Sequence, residues 1–419
     1  MIWRLALRNT LRNRRRTLLA SVAISLSFAL LLVFLGIGDG VHEAMAEVGV
    51  SMGLGHLIVD REGFSDDPSL EHSLPEPARL RTALLRLPWV RQVAPRLRTD
   101  ALITAGATSV GVALSGVEPS IEPLISKIDT PRSMVAGHAL APPDGTPARS
   151  EPAPIVVGKE LARTLDVQVG DRVTLTVRPR GGGETHSGAY RVHGIFATGV
   201  HDIDAYWSEI PIQAARELTG SEQAATSLAV FLDNVAETTP AKAQLQTALA
   251  GEHVEVLSWM QAAPDLYSFI VVDQGGLYAM MGILFVVVAA GILNTLLMGV
   301  MERTGEFGLL LAVGATPRRV VAIVLAEAAI LGAVAVGAGL ALGLTVNHYF
   351  STTGIDLSGM TGEGYETSGV LLPTHFYAHL YPAKLVWSAV LIVGLVLLGA
   401  CYPALRAGRL QPVEAIRHE

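Results

Sequence analysis

Four apolar runs divide the chain. Residues 17–37 carry no charge over 21 positions, 275–301 none over 27, 320–344 only Glu327 over 25, and a fourth run fills 385–405. Each is long enough to cross a hydrocarbon core of about 30 Å as a helix. Four membrane spans are therefore expected. Ala44-Met45-Ala46 imitates a signal-peptidase site, but the first apolar run is longer than an ordinary signal h-region and the site lies too far beyond it, so the first span should stay uncleaved.

Between the first two runs the period changes. Asp39 to Asp273 is a polar stretch of 235 residues, long enough for one large or two small domains. Alternating, β-rich runs at 56–59, 109–117, 155–157, 173–177, 190–196 and 228–232 predict strands. Residues 77–87, 159–165, 211–219 and 240–250 open on helix signals and place apolar side chains three or four apart, which predicts helices among them. An α+β build follows. The polar stretch joins the spans through helical patterns. Val41, Ala44, Met45 and Val48 extend the first span over 39–49, and 259–272 should run as one helix into the second. Such continuous helices would form stalks.

Composition supports a membrane protein with a large polar part: half the residues are apolar and the mean hydropathy is +0.42. The net charge of −7 is unevenly spread, for residues 1–16 hold six arginines and no acid. Trp3, Leu5, Leu7 and Leu11 among those arginines suit an amphipathic helix at the inner membrane interface, against lipid phosphates. The arginine asymmetry places the N-terminus, the 302–319 segment and the tail in the cytoplasm. The resulting division is an arm at 1–16, spans at 17–37, 274–301, 320–345 and 385–405, an extracytoplasmic domain at 38–273, an inner connection at 302–319, an outer loop at 346–384 and a tail at 406–419. The rest of the chain is net acidic, so no basic face large enough for nucleic acid remains.

The inner connection is the most pointed stretch. In ERTGEFGLLLAVGATPRR, Glu302 and Glu306 lie one turn apart, Arg303 precedes Glu306 by three, and Phe307, Leu310 and Leu311 repeat at helical spacing. Gly314 ends the helix, and Thr316 with Pro317 starts the next as N-cap and first-turn residue. This run resembles the signature of the FtsX/MacB superfamily of ABC-transporter permeases (type VII). The tail PALRAGRLQPVEAIRHE from Pro403 is similar to the same family's C-terminal signature. The polar domain likewise resembles a MacB-like periplasmic core, in which a Porter-like subdomain is interrupted by a Sabre-like one.

The resemblance implies a fold of four membrane helices plus that α+β extracytoplasmic domain, in the bacterial inner membrane. It also implies a permease that moves substrate by mechanotransmission. Glu302, Arg303, Glu306, Phe307, Leu310 and Gly314 would then couple to a separate ABC ATPase. That subunit would hold ATP and magnesium, and this chain no cofactor. A second permease, identical or related, would complete the assembly. Val169-Gly170-Asp171, two strands and Thr198-Gly199 look like the arrangement of the lipoprotein-releasing branch, whose intervening loop can engage a periplasmic lipoprotein carrier. Here that loop holds Pro179, Arg180, Gly181, Gly182 and Gly183 and lacks an apolar tip. Val33, Phe34 and Ile37 at the end of span one, with Leu277, Tyr278 and Met281 opposite, offer an apolar path from membrane lipid for acyl chains. A MacB-like efflux or peptide exporter and an FtsX-like regulator of a cell-wall hydrolase are the alternatives.

No motif points to catalysis. The chain lacks a GxxxxGK[ST] phosphate loop, HExxH, CxxC and GxSxG. Its one cysteine, Cys401, sits in an apolar run, which excludes a disulfide framework. Glu327 near the inner end of span three would cost roughly 2.5–3.5 kcal/mol if it faced lipid at mid-depth, so it should face protein or the interface. Ala335, Gly339 and Gly343 form a small-residue stripe along the same span.

Overall fold

The computed structural model describes residues 2–12, 14–65, 70–128, 130, 133–140, 152–178, 185–221, 223–357, 359, 365–367, 370–372 and 375–410. The chain forms two compact units. One comprises Met1–His42, Val271–Asp356 and His375–Glu419, and the other Glu43–Ile270 and Leu357–Thr374.

Helices α1 (Ile2–Arg12) and α2 (Arg14–Gly49) open the chain. A π-helical turn at Val50–Leu54 closes α2, with Gly53 at φ 88°. The second unit continues through β1 (Leu57–Arg61), α3 (Pro77–Leu84), β2 (Val90–Ala105), β3 (Thr108–Val117), α4 (Glu122–Ile125), β4 (Met134–Gly137) and β5 (Ala153–Gly158). It then passes through α5 (Lys159–Leu165), β6 (Arg172–Val177), β7 (His186–Phe196), α6 (His201–Tyr206), β8 (Trp207–Pro211) and α7 (Ile212–Thr219). Its last elements are β9 (Ser227–Leu232), α8 (Thr238–Ala248), β10 (Val254–Ser258) and α9 (Trp259–Ala262).

Two sheets share one strand. Val90–Arg96 of β2 pairs with β9, completing the antiparallel order β10-β1-β9-β2. Leu80 and Leu84 of α3, and Ala241 and Leu245 of α8, cover it, an i, i+4 pair from each helix packed on Val59, Val93, Leu228 and Val230. From Leu97 onward the same strand pairs with β3 instead, and at Ala101–Thr104 also with β6. The ladders then run β3–β8, β8–β5, β5–β7 and β7–β6, so six strands close on themselves. In RVTLTV of β6, Val173, Leu175 and Val177 point inward and alternate with more exposed side chains, the period of a strand with one buried face. They meet Leu97, Ile103, Leu114, Val192 and Ile210, with Leu161 and Leu165 of α5 and Ala215 and Leu218 of α7 in the same core. Arg96, at the point where β2 changes sheets, donates from Nη2 to Oε1 of Glu122 at 2.9 Å, and its Nη1 pairs with the other carboxylate oxygen.

The sequence predicts one helix over 259–272, and the structure breaks it. Ala263 precedes Pro264, whose ring disfavours helical backbone at the residue before it, and Ala263 accordingly sits at φ −126°, ψ 68°. Helix α10 (Pro264–Met301) starts afresh beyond it.

The other unit is a helical bundle. Besides α2 and α10 it contains α11 (Thr304–Ala312), α12 (Pro317–Thr353) and α13 (Pro382–Gly408). Thr17–Leu54, α10, α12 and α13 are each long and apolar enough to cross a membrane. Helix α12 continues past the apolar run 320–344 to Thr353. Phe28, Leu31 and Leu32 of α2 pack with Ile292 of α10, Ala328 and Ala335 of α12, and Val396 and Ala400 of α13. The small-residue stripe lets α12 lie close to α2: a Cβ on Gly339 would come within 2.8 Å of the Ser25 carbonyl oxygen. Asn347 ties the same two helices by donating to the carbonyls of Leu32 at 2.9 Å and Gly343 at 3.1 Å. Nearby, Nε2 of His42 lies 2.8 Å from Asp273, and Lys384 pairs with Asp39.

Candidate functional site

The segment between α10 and α12 is shorter as a helix than its pattern implies. Glu302 and Arg303 form a turn, and α11 begins at Thr304. Gly314, at φ +100°, reverses the chain in a conformation that L side chains rarely adopt. Thr316 occupies the N-cap position with extended backbone and Pro317 the first turn of α12, but the Thr316 side chain makes no capping hydrogen bond.

Helix α11 has two unlike faces. Phe307, 1% exposed, inserts among Val300, Val320, Val324, Ala404 and Ala407, with Leu311 one turn on packed against the same cluster. Leu310 falls outside that face and is exposed, together with Leu309 and with Val313 at 81% exposure. Glu302, Gly314, Arg318 and Arg319 are exposed around this apolar strip.

Polar groups from three elements meet behind it. Arg303 donates from Nε to Oε2 of Glu306 at 2.9 Å and from Nη1 to both oxygens of Glu327, at 3.1 and 3.0 Å, and its guanidinium lies 5.1 Å from the Phe307 ring centroid. Asn9 of α1 donates from Nδ2 to Oε1 of Glu327 at 2.7 Å, and Arg12 pairs with Glu306. Burial alone would raise the Glu306 pKa. Hydrogen bonds from Arg303 and Arg12 outweigh that and hold it below the usual carboxylate value. Burial likewise works against the Arg303 charge, but Glu327 and then Glu306 keep its pKa above the ordinary value. Glu327 thus faces protein and is paired. The partnership with residues of the arm carries no sequence signal, because 318 positions separate Asn9 from Glu327 and 294 separate Arg12 from Glu306.

The six residues expected to form an acyl path differ widely in exposure. Phe34 and Tyr278 are exposed, Val33, Ile37 and Leu277 half-buried, and Met281 buried in the bundle core. At this level α2 and α10 touch, since a Cβ on Gly38 would lie 2.7 Å from Leu277. An apolar groove of about 440 Å³ instead opens between the other halves of the two helices, lined chiefly by Ala23, Ile24 and Ser27 and by Val287, Gly291 and Met298. Its signal in the sequence is the run of small residues Ala20, Ala23 and Ser27 at helical spacing opposite Gly291.

Pro179, Arg180, Gly181, Gly182 and Gly183 lie outside the described residues, as does the end of the C-terminal signature from 411 onward. The flanking strands β6 and β7 pair antiparallel from Arg172↔Arg191 to Val177↔His186. Asp204 closes the Thr198-Gly199 run by accepting from Thr198 N and Oγ1, both at 2.8 Å, and from Gly199 N at 3.3 Å.

Residues 17–248 match the model of the MacB-like periplasmic core domain, and 278–412 match that of the FtsX-like permease C-terminal region. The chain belongs to the FtsX/MacB permease family. Among curated relatives, the lipoprotein-releasing system transmembrane protein LolC of Neisseria meningitidis serogroup B is 24% identical over 332 residues, 78% of each chain. The corresponding LolE of Haemophilus influenzae is 22% identical over 411 residues, 95% of this chain and 93% of that protein. The macrolide export ATP-binding/permease protein MacB of N. meningitidis serogroup B is 22% identical over 384 residues, covering 86% of this chain and 55% of the longer MacB. The α+β domain of this permease is thus the periplasmic core of its family, and the α11 segment lies within its FtsX-like part.

Proposed function

We propose that this permease is the membrane subunit of an ABC transporter that extracts lipoproteins from the bacterial inner membrane and passes them to a periplasmic carrier. The observation that carries the reading is the similarity to LolC and LolE, which for LolE spans 95% of the chain. Both termini face the cytoplasm in this reading. A separate ATPase, holding ATP and magnesium, docks on the exposed strip Leu309, Leu310 and Val313, where apolar side chains stand among Glu302, Arg318 and Arg319. A second permease copy or paralogue completes the unit. Closure of the ATPases displaces α11, and the helices carry that movement to the periplasmic core by mechanotransmission.

Extraction withdraws acyl chains at about 0.8 kcal/mol per CH₂, so a lipid-accessible apolar path is needed. The groove between α2 and α10 supports such a path: at about 440 Å³ it falls in the size range of small-molecule sites. Gly291→Leu tests it. A Cβ at Gly291 meets nothing within 4 Å, and leucine is the better helix former, so the variant should fold while filling the groove. In proteoliposomes containing the ATPase, it should lose release of acylated lipoprotein. Normal release by Gly291→Leu, or depletion that leaves lipoprotein sorting intact while sensitising cells to macrolides, favours a MacB-like exporter instead.

A further inference from the structure

Helix α1 packs along α12 with Ala6 fully buried, while Trp3 and Leu7 stay exposed. An arm that served only to anchor the chain at lipid headgroups would present its polar side chains to phosphates. Asn9 and Arg12 do otherwise. Each supplies one partner to a carboxylate that Arg303 also holds: Glu327 lies between Asn9 and Arg303, and Glu306 between Arg12 and Arg303. Asn9 and Arg12 thereby hold the arm to both carboxylates that Arg303 contacts. Helix α2 starts at Arg14, two residues beyond Arg12.

We infer that the N-terminal arm is the link through which a displacement of α11 is delivered to span one. Chain connectivity ties α11 to α10 and α12 alone. The arm adds a route to α2, the span that lines one wall of the groove. The inference rests on the reading that an ATPase drives α11, but it is independent of what is transported.

The full permease, assembled with its ATPase in nanodiscs after Cys401→Ser, would carry a nitroxide at Phe34→Cys in α2 or at Val334→Cys in α12, both exposed positions. ATP with vanadate should alter the spectra of both labels. In Asn9→Ala/Arg12→Ala the response at position 34 should be lost while that at 334 persists, and Arg12→Lys, which keeps the charge, should retain both. A response at 34 that survives the double substitution overturns the inference. Loss at both positions overturns it as well, by showing that the arm acts on assembly as a whole. Absence of any nucleotide response at both positions in the otherwise unaltered permease removes the ATPase reading and the inference together.

Discussion

Two arginine–glutamate pairs of similar geometry do different things in the two units. Arg96 and Glu122 in the periplasmic core have side chains 4% and 0% exposed, and they sit where β2 leaves one sheet for the other. Arg303 and Glu327 in the bundle are 11% and 16% exposed; Arg303 also pairs with Glu306, which Arg12 contacts, and Glu327 accepts from the Asn9 amide. The dry pair holds an architecture in which β2 must keep one register in two sheets. The bundle pair belongs to a network at the end of α11, where partners can be exchanged at lower cost because water is near. A buried pair is costly to break but often replaceable by well-packed apolar groups of similar volume.

The largest effect that tests this contrast is Glu122→Ala. It should cost about 3–5 kcal/mol by stranding Arg96, read as a collapse in thermal midpoint and protease resistance of the purified protein. Arg96→Met with Glu122→Leu should recover most of that stability. If the double replacement is as damaging as the single one, the pair is more than a structural tie.

Dryness of the core also predicts acid sensitivity. His56 accepts a hydrogen bond from Leu232 N on Nδ1, and burial, helped by nearby Arg91, pushes its pKa down to about 4. Between about pH 6.5 and 4 the unfolded chain takes up a proton there and the folded one does not, so stability falls with pH by up to about 3 kcal/mol. Asp60, raised to about 6 by burial, works in the opposite sense below pH 6. The His56 contribution is therefore the difference between the wild type and His56→Asn, which keeps an acceptor. That variant should lose less stability on acidification, and parallel denaturation curves across this window would show that His56 is not held neutral.

In the bundle, Glu327→Ala should cost roughly 1.5–3 kcal/mol, the range for hydrogen bonds to charged groups, less than Glu122→Ala because Arg303 keeps Glu306. Equal losses in the two variants would erase the distinction between dry pair and network. The smallest stability change is expected for Glu306→Gln: it keeps an acceptor for Arg303 and loses the charge of the exposed bridge to Arg12, a class worth about 0.2–1 kcal/mol. That variant should still reach the membrane, while ATPase association or substrate-stimulated ATP hydrolysis drops. Wild-type stimulation would remove α11 from the coupling role.

The local geometry of the α11 segment is readable in outline from the sequence. The i, i+3 pairing of Arg303 with Glu306 and the stop at Gly314 follow from a helical period read along one short segment. Phe307 and Leu310 carry the same coupling expectation, but the i+3 and i+4 neighbours of Phe307 lie to opposite sides of it: Leu311 joins Phe307 on the Val320–Ala404 cluster, and Leu310 is exposed. Large apolar residues close a helix contact, as Leu277 does against Gly38, and small ones open a groove, as Ala23 and Gly291 do, so a groove is not readable from apolar side-chain size alone.

By itself the sequence determined the four long apolar helices, the strand-and-helix domain between the first two, and the polar connection that carries the family's signature. These are properties of local pattern: charge in hydrocarbon is costly residue by residue, and burial repeats at 2.0 or 3.6 positions. The tertiary structure alone decided that β2 serves two sheets, since the subdomain boundary falls inside a continuous strand and leaves no linker to read. It also decided that Arg96 meets Glu122, and that Asn9 and Arg12 reach Glu327 and Glu306. Those partners lie on different elements, and no periodicity along a chain encodes which of its distant polar groups will meet at one site.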